Sequence, residues 1–234
     1  MDVILVFDLD GTLIDSARDL AESIGELLDG YGVQSLPLDA VVTMVGEGAP
    51  MLVRRALAAA GVHPPLEEAL SRFMQIYDRR LMDHTVPYDG IHETLGVLMR
   101  HGPLAVLTNK PLGPSIGILE ALRLRGFFSR VVGGDSEFGR KPDPAGLLSL
   151  QALAPGDQLV MIGDSPADGK VAEAAHVPFV FARFGFGAAK FTSAPNTSFV
   201  IDHPRELVRV VEAIRVAVDA PVTLDGRASG FSRT

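Results

Sequence analysis

Residues 3–13 read VILVFDLDGTL, an apolar run that ends in two carboxylates and a Gly-Thr turn. Such a run is typical of a strand that is buried on both faces of a parallel sheet. Asp8 and Asp10 then fall at the carboxyl end of that strand, where open α/β sheets bind ligands. Two anions placed there repel each other unless a cation or a reaction makes use of them. One can serve as a nucleophile or metal ligand and the other as a proton carrier.

The composition narrows the classes of function. Hydrophobic residues make up 47% of the 234-residue chain, which is enough for a sizeable core, and 21 basic against 29 acidic residues give a net charge of −8. An acidic surface argues against nucleic acid or an anionic membrane as a partner. The chain has no cysteine, which excludes disulfides, thiolate catalysis and zinc bound by cysteine.

No targeting or membrane-spanning segment is visible in the sequence. The N-terminus enters a strand without a basic region, which predicts no signal peptide. No apolar run approaches the ~18 residues that are needed to span a bilayer. We therefore expect a cytoplasmic protein, either a monomer or a homodimer.

The stretch after the first strand predicts an all-helical insert. Helical periodicity recurs near residues 17–31, 50–60 and 66–82, and we find no convincing strand among residues 15–85. We assign residues 15–85 to this helical domain.

From residue 86 onward, helices alternate with strands. The predicted strands of this part are residues 104–108, 131–134, 159–163, 178–181 and 199–201. This alternation favours a doubly wound parallel sheet. We assign residues 1–14 and 86–218 to this α/β core, and residues 219–234 to a tail that we expect to be flexible.

Four short segments at predicted strand ends or helix starts would meet at one edge of the sheet. They are residues 8–12, 107–110, 140–144 and 163–168. Their residue types and order resemble those of the haloacid dehalogenase superfamily over about residues 1–14 and 86–200. The resemblance implies a Rossmann-like core, with the helical insert in the position of the family's cap domain.

The residue types suit phosphoryl transfer. A phosphoester repels an anionic nucleophile until a divalent cation and basic donors neutralise both. Asp8 and Asp164 offer the hard oxygen ligands that Mg²⁺ prefers. Lys141 supplies a point charge for the phosphate, and Thr108 supplies a hydroxyl donor.

The resemblance implies more specific roles. Asp8 would attack phosphorus to form an aspartyl-phosphate, and Asp10 would protonate the leaving oxygen and then deprotonate the attacking water. The backbone carbonyl of Asp10 would be a third metal ligand. We expect Asp168 in the outer shell of the metal or as a partner of Ser165. The backbone N–H groups of Leu9 and Asp10 would complete the phosphate cradle.

A glycine-rich segment of the insert is a candidate for contact with the leaving group. Gly46, Glu47 and Gly48 precede a predicted helix, whose first N–H groups are free to face an anion. The segment and the following helix resemble the cap of bacterial phosphoglycolate phosphatases, as do residues 108–111. We expect these three residues and Asn109 to bind substrate. Residues 184–187, FGFG, are interpreted as a glycine turn with packed phenylalanines.

The expected function is that of a Mg²⁺-dependent phosphatase acting on a small phosphorylated metabolite, with 2-phosphoglycolate as the best single candidate. Relatives that lack the second aspartate are metal-free dehalogenases or phosphonate-cleaving enzymes, so Asp10 favours a phosphate ester. Two alternatives stay open. A β-phosphoglucomutase-like phosphotransferase would form the same intermediate, and a phospho-ligand-binding protein could have lost catalysis.

Overall fold

The computed structural model describes residues 3–191 and 198–219, so most of the predicted tail lies outside the described residues. The strands within this part follow in chain order: β1 (Val3–Phe7), β2 (Ile14–Asp15), β3 (Val86–Pro87), β4 (Leu104–Leu107), β5 (Arg130–Val132), β6 (Gln158–Gly163), β7 (Phe179–Ala182) and β8 (Ser198–Ile201). Six of them form one sheet in the order β5-β4-β1-β6-β7-β8. All neighbouring strands of that sheet are parallel.

The described α-helices fall into two groups. Those of the insert are α1 (Ala17–Asp29), α2 (Leu38–Val42), α3 (Ala49–Ala59) and α4 (Leu66–Arg80). Those of the core are α5 (Ile91–Leu98), α6 (Leu112–Ala121), α7 (Ala145–Ser149), α8 (Pro166–Ala174) and α9 (Leu207–Asp219). Among them, no helix has the length and apolar character needed to cross a membrane.

The sheet order places a crevice at β1. The chain first adds β4 and β5 on one side of β1 and then β6, β7 and β8 on the other. The loops that follow β1 and β6 therefore diverge, and such a reversal point is where doubly wound sheets bind ligands. The predicted Rossmann-like class is confirmed, since all six core strands lie within two residues of their predicted positions.

The burial of β1 explains why its sequence reads as a continuous apolar run. All five of its residues are buried, because helices cover both faces of the sheet. Leu5 and Phe7 point into a cluster with residues of α5, α6 and α9, whereas Ile4 and Val6 point into a cluster with residues of α7 and α8. Strand alternation produces this division.

The insert has an apolar core of its own, which all four of its helices share. Leu20, Ile24, Val53 and Phe73 are among its buried members. The three long helices were predicted and are confirmed. Helix α2 was not predicted, because its five residues are too few to show a helical period.

A short antiparallel ribbon joins the core to the insert. Ile14 of β2 pairs with Pro87 of β3, and Asp15 pairs with Val86. Beside it, the buried Asp19 Oδ2 accepts hydrogen bonds from the backbone N–H of Thr85 at 2.8 Å and from its hydroxyl at 2.7 Å. The expectation of no strand from residue 15 onward is therefore wrong for Asp15, since two-residue strands carry no alternation to read.

Candidate active site

Three carboxylates meet at the crevice. Asp8 follows β1 and Asp164 follows β6, and these strands are in register through Phe7 and Ile162. Asp168 lies in the first turn of α8. One carboxylate oxygen from each of the three aspartates lies within 4.8 Å of the others, and all three residues are buried.

Lys141 binds two of these carboxylates. Its Nζ lies 2.8 Å from Asp8 Oδ1 and 2.7 Å from Asp168 Oδ1. Burial alone would lower the pKa of Lys141, but the charges of Asp168 and Asp8 raise it above its ordinary value. The lysine therefore stays charged in the interior, where an opposite charge is worth far more than in water.

Asp168 connects Lys141 to the start of α8. Its Oδ2 accepts hydrogen bonds from the backbone N–H of Ser165 at 2.9 Å and from the Ser165 hydroxyl at 2.6 Å. The bond from the Ser165 N–H is one half of a capping box, and the other half joins the Asp168 backbone N–H to the Ser165 side chain. Together they satisfy free donors at the helix start. Both oxygens of Asp168 thus have protein partners, which supports its predicted role as a partner of Ser165.

Asp8 is fixed through one of its two oxygens. The Oδ1 atom accepts from the backbone N–H of Leu9 at 2.7 Å and also contacts Lys141. Burial, followed by the charge of Asp168, raises the pKa of Asp8 to about 7, although Lys141 opposes the shift. The other oxygen, Oδ2, is the atom available to a metal or to phosphorus.

Asp164 lies in a cradle of glycines. A Cβ at Gly11 would come 2.1 Å from Asp164 Oδ2, and one at Gly185 would come 2.3 Å from the Asp164 Cβ. Gly187 donates its N–H to Asp164 Oδ2 at 2.6 Å, and the Thr12 hydroxyl donates to Oδ1 at 3.3 Å. Burial and the charges of Asp8 and Asp168 raise the pKa of Asp164 well above its ordinary value.

The arrangement fits a divalent cation. When all three are ionised, Asp8, Asp164 and Asp168 carry three buried negative charges, of which Lys141 balances one. A buried, uncompensated charge is costly, and carboxylate oxygens are the ligands that Mg²⁺ prefers. Asp8 and Asp164 would hold such an ion.

Asp10 belongs to a second polar cluster. Both oxygens of Asp10 lie 3.0 Å from Lys110 Nζ, and the Ser16 hydroxyl donates to Oδ1 at 2.5 Å. Lys110 Nζ also donates to Tyr77 Oη at 2.6 Å, which brings in α4 of the cap. Burial alone would lower the pKa of Lys110, but Asp10 and then Tyr77 raise it above its ordinary value. The Asp10 side chain therefore does not join the three-carboxylate cluster.

A small cavity lies between the core and the cap. Its volume is about 50 Å³. The cap side is mainly apolar and includes Leu20, Leu52, Phe73, Met74 and Tyr77; the core side is mainly polar and includes Asp8, Asp10, Thr108, Asn109 and Lys110. A ligand in this cavity would contact reactive groups on one side and shape-selecting groups on the other.

The two predicted residues after β4 differ in what they can offer a ligand. Thr108 is buried and lines the cavity; its Oγ1 accepts from the backbone N–H of Lys110 at 3.2 Å, so its own hydrogen can still be donated. Asn109 instead uses its amide on the protein. Its Nδ2 donates to the carbonyls of Gly46 at 3.0 Å and Lys141 at 3.2 Å, and its Oδ1 accepts from the Lys141 N–H at 2.8 Å. Asn109 thus positions Lys141 and the cap loop.

The predicted cap residues divide between the cavity and the surface. Gly46 and Gly48 line the cavity, and neither has a side chain that would fill it. Glu47 does not line it, because its carboxylate pairs with Arg55 at 2.5 Å and its side chain is 52% exposed. Glu47 instead lines a neighbouring depression together with Lys141, and its contact with substrate stays a prediction.

The sequence-based site set leaves out four residues that contribute to the site: Lys110, Tyr77, Gly185 and Gly187. Lys110 and Tyr77 pair across the two domains. Gly185 and Gly187 pack on Asp164, so the FGFG segment borders the site as well as forming a turn. The alternating glycines of that segment were the available signal, since glycine in a loop after a strand indicates close approach. Nothing in the sequence pairs residue 77 with residue 110.

Comparison with known proteins places the chain in a family. The model of haloacid dehalogenase-like hydrolases matches residues 5–182, well over half of the chain. The chain belongs to the haloacid dehalogenase-like hydrolases. This membership confirms the resemblance that the four core segments indicate.

Individual relatives of this hydrolase family narrow the resemblance. Phosphoglycolate phosphatase of Pseudomonas syringae pv. tomato is 38% identical over 213 residues, covering 88% of this chain and 78% of the relative. Phosphoglycolate phosphatase of Caulobacter vibrioides is 39% identical over 188 residues, covering 78% and 79%. The crystal structure of a predicted phosphoglycolate phosphatase from Haemophilus somnus 129PT has a TM-score of 0.80 and 29% identity, and the match covers 88% of this chain and 96% of that one. These relatives confirm the prediction of a phosphatase-like member of the family.

Proposed function

We propose that this hydrolase is a Mg²⁺-dependent phosphatase that removes phosphate from a small metabolite, with 2-phosphoglycolate as the preferred candidate. The observation that carries the proposal is the convergence of Asp8, Lys141 and Asp164 at the crevice, where Asp8 also lines the small cavity beneath the cap. The names of the curated relatives support the choice of substrate. Cytoplasmic location and oligomeric state stay predictions.

The first step is transfer of the phosphoryl group to Asp8. An Asp8 carboxylate oxygen attacks phosphorus, the P–O bond to the leaving group breaks, and Asp10 gives its proton to the leaving oxygen. Lys141 and the Thr108 hydroxyl hold phosphoryl oxygens, and Asn109 keeps Lys141 in place through the contacts described above. A divalent ion held by Asp8 and Asp164 would neutralise the anionic phosphate and nucleophile, so that their repulsion falls.

The second step is hydrolysis of the aspartyl-phosphate. Water attacks phosphorus while Asp10 takes its proton, and the bond between Asp8 and phosphorus breaks to release inorganic phosphate. Asp10 then carries the proton for the next cycle. The Ser16 hydroxyl and Lys110 hold the Asp10 carboxylate in position for both transfers.

The size of the cavity favours a small leaving group. A cavity of about 50 Å³ has room for roughly three or four groups of water size, at ~10–15 Å³ each. A glycolate unit needs about that space beyond its ester oxygen, whereas a hexose is several times larger. The small cavity therefore supports a short leaving group, and a larger depression of about 340 Å³ beside it is lined by Lys141, Gly46 and Glu47.

Phosphate release from a panel of phosphorylated metabolites tests the proposal. The panel holds 2-phosphoglycolate, a hexose phosphate and an aryl phosphate, each assayed with Mg²⁺ and with excess chelator. We expect the highest kcat/KM for 2-phosphoglycolate and no turnover in chelator. Full activity in chelator would contradict the metal-dependent scheme, and a preference for the hexose phosphate would contradict the assigned substrate.

A further inference from the structure

Lys110 is a buried cation to which the proposed reaction gives no contact with substrate. Its side chain is 5% exposed, and it lines the cavity between Asp10 on the core side and Tyr77 on the cap side. Lys141, the other buried lysine near the site, is engaged with Asp8 and Asp168. Among the residues that line the cavity, Lys110 is the one with a permanent positive charge.

The charge of Lys110 lies on the cap side of Asp10, away from Asp8. The phosphoryl group is expected at Asp8, and the leaving oxygen is expected at Asp10. Lys110 Nζ lies 3.0 Å from both oxygens of Asp10, on the side that leads to Tyr77 and Phe73 of the cap. A carboxylate whose carbon is two bonds from the leaving oxygen would therefore reach Lys110.

The surroundings select the kind of acceptor. Leu52, Phe73 and Met74 make this part of the cavity wall apolar. An anion there would have to share Lys110, whose Nζ already contacts both Asp10 oxygens and Tyr77 Oη. A charge-assisted hydrogen bond in such a place is stronger than a neutral one. Tyr77 accepts from Lys110 through a lone pair, so its own hydroxyl hydrogen is not used by that bond.

We infer that Lys110 is the specificity-determining residue that binds a carboxylate on the leaving group, and that Tyr77 holds it in place from the cap. The inference rests on the proposed phosphatase function and deepens it, because it restricts the substrates to phosphate esters of short hydroxy acids. A purely structural reading explains the cluster less well. A buried ion pair adds little stability relative to apolar residues of similar size, and apolar residues already form the cap side of this cavity.

Two substrates that differ only in the charge of the leaving group test the inference. They are 2-phosphoglycolate and 2-phosphoglycolamide, in which a neutral amide replaces the carboxylate. The kcat/KM ratio of the two is measured for the wild type, for Lys110→Met and for Lys170→Met. Lys170 is exposed on α8, so its variant removes the same charge without altering the cavity.

We expect the wild type and Lys170→Met to prefer the carboxylate substrate by about 30-fold or more, the size of a lost charge-assisted hydrogen bond. In Lys110→Met the ratio should fall below about 3, mainly because kcat/KM for 2-phosphoglycolate falls. Because Lys110 also holds Asp10, turnover of both substrates can fall in this variant; the ratio is therefore the readout, and circular dichroism checks the fold.

Three other outcomes would contradict either the inference about Lys110 or the proposed function. Equal losses on both substrates in Lys110→Met, or an unchanged ratio, would overturn the inference and leave Lys110 as a partner of Asp10 only. A wild type that hydrolyses both substrates without preference would overturn it too, while the phosphatase activity stands. A wild type that hydrolyses no phosphate ester would overturn the proposed function itself.

Discussion

The core side and the cap side of the cavity are built in different ways. On the core side, Asp8, Lys141, Asp164 and Asp168 hold one another through contacts of 2.7–2.8 Å and through the glycine cradle. On the cap side, most of the wall is apolar, and the loop before α3 meets the core through two backbone carbonyls, those of Val45 and Gly46. The rigid polar side suits chemistry, and the apolar side suits selection by shape.

This difference implies that substitutions on the two sides should change different kinetic constants. On the core side a change should lower turnover for every phosphate ester, because the phosphoryl group is common to all of them. On the cap side a change should alter the preference among esters. Variants on the two sides can therefore test that division.

The largest effect is expected for Asp8→Asn. The amide is nearly isosteric but cannot act as a nucleophile, so turnover of every substrate should fall by more than about 100-fold. Phosphate release measures the loss, and circular dichroism checks that the fold is kept. Residual turnover above a hundredth of the wild type would contradict covalent catalysis by Asp8.

Gly11→Ala should come next, because it disturbs the core side without changing any reacting group. Its φ is +90°, and its new Cβ would fall 2.1 Å from Asp164 Oδ2. We expect kcat to fall by more than about 10-fold, together with roughly 1–3 kcal/mol of strain. Gly61→Ala is the matched control, since φ is +71° there but nothing lies within 4 Å of the new Cβ. Both variants should lose stability, and only Gly11→Ala should lose turnover.

The affinity for Mg²⁺ should depend on pH. The pKa of Asp8 is raised to about 7 without the ion, so below that pH a proton competes with the metal. As pH falls from 7 to 5, the affinity should fall by up to about tenfold per unit for each proton displaced. Titration calorimetry in two buffers of different ionisation enthalpy measures the protons released. An affinity that does not change between pH 5 and 7 would rule out Asp8 as a ligand.

The smallest effects are expected in the cap loop. Gly48 has φ +85°, and a Cβ there would lie 3.1 Å from the Asn109 carbonyl oxygen. Gly48→Val should therefore lower kcat/KM for 2-phosphoglycolate more than kcat/KM for an aryl phosphate. We expect the ratio of the two constants to fall by a factor of about 5–10, because the cap would close imperfectly over the small substrate.

Glu47→Gln is the control for the same loop. Its pair with Arg55 is exposed, so the change should cost less than about threefold in kcat/KM and little stability. Parallel losses on both substrates in Gly48→Val would make the loop structural. A large loss of kcat/KM in Glu47→Gln would indicate that Glu47 contacts the substrate.

The sequence predicts the core side far better than the cap side. Buried parallel strands read as apolar runs, so the ends of β1, β4 and β6 and the side chains that follow them could be located from the pattern alone. The contact of Lys110 with Tyr77 could not, because it depends on how a separate helical domain docks. The Glu47 side chain pairs with Arg55 of α3. The sequence of the loop alone does not reveal this contact.

The ribbon of β2 and β3 has a consequence for how such proteins change over evolution. Ile14 pairs with Pro87 and Asp15 with Val86, so the two ends of the insert lie side by side. A segment whose ends already meet can be exchanged for another of different length at a small cost in loop-closure entropy. Grafting a different insert between these two strands should therefore give an enzyme with the same chemistry and a new substrate.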